Sequence, residues 1–153
     1  YLKKPNISNT YQMCIAANYA GKAISISKTT APHALSYPFT SHFNINHGHA
    51  VSLTLNDFLK FNYKNLKHAD CNFNLKNRYN KIFDITKTSN INELDMFLNK
   101  IKYSAGLEGR FYKLGININN HLPKIIDGVN IQRLNNNPVK ITKHDIKAIL
   151  LNN

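Results

Sequence analysis

The chain has 153 residues, 42% of them hydrophobic, and sets 20 lysines and arginines against eight acidic residues, a formal net charge of +12 at pH 7. A chain of this size buries roughly two thirds of its unfolded surface around one core, so a single compact unit is expected. No run of about 18 apolar residues excludes itself from water, which rules out a transmembrane helix, and Tyr1-Leu2-Lys3-Lys4-Pro5 has neither a signal-peptide layout nor an initiating Met. The charge raises nucleic acid as a partner, but Arg78, Arg110 and Arg133 are the only arginines and the lysines spread from Lys3 to Lys147 without a block. Arginine is the residue that makes bidentate base contacts, so specific nucleic-acid binding is set aside and the lysine and asparagine excess is read as the stamp of an AT-rich coding sequence. Salt-sensitive polyanion binding by a basic helical module stays as an alternative. Cys14 and Cys71 form no paired motif and fit reduced thiols in a cytoplasm.

In chain order, Ser8 or Asn9 is expected to cap a helix that runs to about Ser27. Its apolar residues, from Met13 through Ile26, occupy most faces, which predicts a buried helix, and Ala16, Ala17, Ala20 and Gly21 leave room for a close neighbour. A histidine-containing hairpin follows from Ala31. Pro32 suits a first helical turn, whereas Pro38 removes an amide donor and presses on the carbonyl of Ala34, so a kink or stop is expected there. Ala50 to Phe61 carries Val51, Leu55, Phe58 and Leu59 at helical spacing. Tyr63 to Asp70 reads as a loop or short helix, and further helices are expected at about Phe73 to Ile85 and Asn92 to Tyr103, the latter capped by Asn90 with Glu93. Gly106 stops that helix; a connector, a short helix at Leu122 to Asn130 and an Asn135-Asn136-Asn137-Pro138 turn lead to a last helix capped by Thr142, with Asp145 at its third position. No segment alternates at a period of two with β-branched residues, and the expected fold class is an all-α bundle of about seven helices.

His33 and His47 stand fourteen positions apart, which on one straight helix is about 21 Å, too far for both rings to reach one ion. A reversal near Ser41 to Phe43, followed by extended Asn44-Ile45-Asn46, brings the rings back within reach of each other. Neutral imidazole is a ligand for divalent zinc, iron or nickel when a partner on its other nitrogen orients it. Two histidines are also common as surface or cap residues, and the pair alone does not decide between these readings. His49, two residues past His47, points elsewhere on a helix, with a supporting or substrate contact left open. His42 and His68 are expected on the surface, and His121 as a cap or surface residue.

Ala20-Gly21, then His33-Ala34-Leu35-Ser36-Tyr37-Pro38 and His47-Gly48-His49-Ala50-Val51, with Asn137-Pro138-Val139-Lys140-Ile141-Thr142 near the end, resemble the C-terminal helical domain of the iron-containing (group III) alcohol dehydrogenases. Among the branches of that family, His47 to Leu55 is most similar to the phosphonoacetaldehyde reductases. The resemblance covers nearly the whole chain. It implies a single all-helical metal-binding domain over 1–153, with His33 and His47 as the last two of four ligands to a divalent metal, iron first and zinc, nickel or cobalt as alternatives. Tyr37 stands where many members have another histidine near the nicotinamide, and a phenol there can orient an alcohol oxygen or pass a proton through water. The family's other two ligands, an aspartate and a histidine four residues later, have no match here, and its glycine-rich nucleotide-binding domain is missing as well.

The activity implied is therefore that of a longer parent enzyme: reduction of a small aldehyde to a primary alcohol by NADH or NADPH bound mainly by the missing N-terminal domain, with this fragment inactive alone. A phosphonate substrate needs cations at the far end of the pocket, and Lys22, Lys28 and Arg110 are available on charge. Homo-oligomerisation is left open, no membrane partner is expected, and a metal-free remnant is the remaining alternative.

Overall fold

The structure, a computed structural model, describes residues 4–152, so the starting tripeptide Tyr1 to Lys3 lies outside the described residues. Eight α-helices follow one another among them: α1 (Ile7–Ser27), α2 (Ala31–Phe43), α3 (His47–Lys64), α4 (Leu75–Thr86), α5 (Ile91–Ser104), α6 (Ile118–Asp127), α7 (Ile131–Leu134) and α8 (Lys143–Leu151). Single 3₁₀ turns lie at Leu66–His68 and Phe111–Leu114, and the only β-type pairing among the described residues is an isolated bridge between Ala69 and Val139. The all-α class is as expected. None of these helices is long and apolar enough to cross a membrane.

α2 and α3 form the centre. Ala31, Ala34, Leu35 and Phe39 of α2 and Ala50, Leu53 and Phe58 of α3 pack with Phe111, Ile116, Ile125 of α6 and Ile146 and Leu150 of α8 into the main core. Phe39 stacks on Phe111 with ring centroids 5.5 Å apart. A second cluster joins Leu75, Tyr79 and Phe83 of α4 to Leu94 of α5 and Val139, with Leu59 and Tyr63 of α3 against it. α3 therefore carries one apolar face for each cluster, and the buried Asn62 and Asn137 clamp it to the chain before α8 by reciprocal amide hydrogen bonds of 3.3 and 2.7 Å.

Local chemistry explains most helix ends. Asn90 accepts from the backbone amides of Asn92 and Glu93, while the Glu93 carboxylate accepts from the Ser89 amide, one residue before the cap. Thr142 and Asp145 form a complete capping box at α8. Gly106 takes φ of 68°, the left-handed turn that ends α5.

Three expectations need correction. The cap of α1 is Asn6, whose side chain accepts from the Asn9 amide, rather than Ser8 or Asn9. α1 is also not buried: it has no buried residue, and Ile7 and Ile26 are 91% and 85% exposed. Periodicity reports which residues seek cover, and no other described element supplies that cover along α1.

Of the kink or stop expected at Pro38, the stop does not occur. α2 runs on to Phe43, because the Ala34 carbonyl that Pro38 deprives of its partner accepts instead from the Asn130 amide, at 3.3 Å. Gly128 permits that approach, since a Cβ there would stand 2.9 Å from the Pro38 Cβ.

Candidate metal centre

His33 and Tyr37 stand four residues apart on α2 and so share a face. The chain leaves α2 through Asn44, which is in the left-handed region, φ 54°, rather than extended as expected, and returns over three residues to start α3 at His47, beside the middle of α2. The two imidazoles end with ring centroids 5.4 Å apart and planes tilted by 59°. Tyr37 lies edge-on to His47 at 6.3 Å. His33 is half-buried, whereas His47 and Tyr37 are exposed, so the pair opens to one side.

Ser36, fully buried, holds this arrangement. Its Oγ donates to the His33 carbonyl at 2.7 Å and stands 3.3 Å from His47 Nδ1. A hydroxyl has one hydrogen to give. With that hydrogen committed to the carbonyl, the contact with His47 requires Nδ1–H to donate to Oγ, which leaves the lone pair on His47 Nε2.

Burial, followed by the charges of His47 and Arg133, holds His33 below the usual imidazole range. The neutral ring, the form that binds metals, is thereby favoured. Two imidazoles bonded to one tetrahedral ion at about 2.0–2.1 Å place their centroids about 5.3 Å apart, and the observed 5.4 Å lies at that separation. The donor set thus suits a borderline divalent metal, with two positions provided; among the described residues no group of three or more His, Cys, Asp or Glu side chains gathers.

The other sequence candidates lie elsewhere. His49 Nε2 donates to the Glu108 carbonyl at 2.7 Å and has no hydrogen bond or ring contact with His33, His47 or Tyr37. His42 is exposed, and His121 Nδ1 accepts from the Asn117 amide at the start of α6. Of the cations chosen on charge, Lys22 covers Tyr19 on α1 and Lys28 ends that helix. Arg110 is clamped on both oxygens of Glu108, and its hydrogen bonds hold that carboxyl down to about 2.

The cation at the site is none of these three. Arg133 of α7 places its guanidinium 5.5 Å from the Tyr37 ring centroid and donates to Thr29 Oγ1 just ahead of α2. The one available signal was its rarity as an arginine in a lysine-rich chain.

Fold and site together define an all-helical domain with a paired-imidazole face at the junction of its two central helices. The chain belongs to the Fe-containing alcohol dehydrogenase family: the C-terminal model of that family matches residues 2–153. A phosphonoacetaldehyde reductase of Streptomyces viridochromogenes is 42% identical over 56 residues, which are 37% of this chain and 14% of that protein. The crystal structure of a sulfoacetaldehyde reductase from Bifidobacterium kashiwanohense, in complex with NAD+, is similar in fold with a TM-score of 0.65 at 22% identity, over 82% of this chain and 31% of that one. The matched regions are thus well under half the length of either relative.

Proposed function

We propose that this chain is the metal- and substrate-facing part of a longer NAD(P)H-dependent aldehyde reductase that converts a small aldehyde to a primary alcohol. The observation that carries the reading is the His33–His47 separation of 5.4 Å, with Ser36 fixing one tautomer. His33 and His47 would hold a divalent metal, iron by family, with His47 offering the Nε2 that its contact with Ser36 leaves free. When bound, the metal supplies Lewis acidity at a carbonyl oxygen and the nicotinamide supplies hydride.

The chain's own part is to bind and orient. Ser36 keeps the His47 ring from turning, and burial favours the neutral form of His33. Tyr37, one turn from His33, positions its hydroxyl to orient the alcohol oxygen or relay its proton through water. The uncovered apolar side chains of α1 support a further domain packed against it, the one that binds the nucleotide. The two free cysteines suit a reducing, cytoplasmic compartment. Phosphonoacetaldehyde is the substrate that the relative of 42% identity favours.

Chelation of the longer protein followed by addition of Fe(II) tests the reading. NADH- or NADPH-dependent reduction of aldehydes that falls on chelation and returns with metal supports it; reduction indifferent to chelation, or no reduction of any aldehyde, overturns it.

A further inference from the structure

Arg133 is set apart from the other arginines by its surroundings. Arg78 is exposed over Phe73, and Arg110 is neutralised by Glu108. Arg133 is half-buried and, among the described residues, has no carboxylate within ion-pair distance. Of the five N–H donors of a guanidinium, one goes to Thr29 Oγ1. Its Cζ lies over the Tyr37 ring, 5.5 Å from the centroid, and Tyr37 in turn is edge-on to His47. A half-buried cation without a counter-charge, beside two rings suited to a second cation, is an electrostatic cost unless an anion arrives.

We propose that Arg133 is the specificity-determining residue of the site: its free guanidinium edge receives a tetrahedral oxyanion, phosphonate or sulfonate, at the far end of a two-carbon aldehyde. This rests on the reductase reading above. The fork of a guanidinium meets two oxygens of such a group at once, while its place over the Tyr37 ring and its bond to Thr29 hold it at the site, so the anion fixes the direction of the carbonyl relative to His33 and His47. The two relatives named above share that substrate chemistry, a terminal oxyanion one carbon from the aldehyde. Lys22, Lys28 and Arg110 are thereby replaced as anion receptors by a residue about a hundred positions downstream of α2's start.

The test is steady-state kinetics of the longer enzyme with three aldehydes, phosphonoacetaldehyde, sulfoacetaldehyde and neutral propanal. Arg133→Gln is expected to raise KM about 10- to 100-fold for an anionic aldehyde, the range for losing a charge-assisted hydrogen bond, and to change propanal less than about threefold. Arg133→Lys, which keeps the charge but loses the fork, recovers part of the loss. Thr29→Val removes the Arg133 brace without removing the charge and is expected to keep the preference for the anionic aldehyde. An equal loss on propanal and the anionic aldehydes in Arg133→Gln, reproduced by Thr29→Val, makes Arg133 a brace only and overturns the proposal. A wild type that reduces propanal as well as the anionic aldehydes overturns it too while leaving the reductase reading standing; a wild type that reduces none removes both.

Discussion

Gly128→Ala isolates the contact that lets α2 pass through Pro38. The φ of Gly128 is −80°, which alanine adopts freely, so backbone freedom does not require glycine there. Taken alone, that substitution stabilises by about 0.4–1 kcal/mol through the unfolded chain. The space decides otherwise: the added Cβ meets Pro38 Cβ at 2.9 Å, the Lys124 carbonyl at 3.3 Å and Pro38 Cα at 3.5 Å. None of these atoms is the end of a flexible side chain, and Pro38 is buried, so backbone must move. Overpacking of this kind costs about 1–3 kcal/mol, which exceeds the gain.

The shift separates the α6–α7 turn from α2 and stretches the 3.3 Å bond from the Asn130 amide to the Ala34 carbonyl. The longer protein should therefore lose about 1–2 kcal/mol in urea unfolding. Its Asn130 amide should exchange with deuterium faster than in the wild type. Unchanged or increased stability, with Asn130 protected as before, would refute the reasoning.

Three further outcomes are expected. Asn137→Ala leaves the buried Asn62 side chain and the Val139 carbonyl without the donor they share, at a cost of about 1–3 kcal/mol that urea unfolding reads directly. For Asp95, burial alone raises the carboxyl, but the hydrogen bonds from Lys60 and Asn56 and the charges of Lys60 and Lys102 outweigh it and hold the group below the usual aspartate range. Its contribution is then complete above the unfolded value near 4 and lost as pH falls through the lower folded one, with Asp57 close by shifted the opposite way by burial. Asp95→Asn should be less stable than wild type from pH 5 to 8 by no more than about 1 kcal/mol, given the partial exposure, and the gap should close below about pH 4. A gap that widens in acid contradicts this. Ser36→Ala frees the His47 tautomer and should weaken metal affinity about 10- to 100-fold, measured by competition with a chelating dye, while an unchanged affinity removes Ser36 from the site.

Where a structural cause is local, the sequence was readable. The caps at Asn90 and Thr142, the stop at Gly106 and the reversal between His33 and His47 all follow from residues within a few positions of one another. Pro38 misleads because its remedy, the Asn130 amide, comes from 92 positions further along the chain. α1 misleads for a related reason: an apolar surface can be read from sequence, but the partner that covers it cannot. The histidine pair was legible as a spacing. Arg133 was not, since nothing near it in sequence places it over Tyr37, and only the packing of α7 on α2 does so.

The metal content of the longer protein in His33→Ala, His47→Ala and His49→Ala, measured by inductively coupled plasma mass spectrometry after identical metal loading and desalting, tests the central claim most directly. Loss of the ion in the first two variants, with His49→Ala retaining it through its separate tie to Glu108, is the result expected. Wild-type metal content in His33→Ala and His47→Ala would contradict the account.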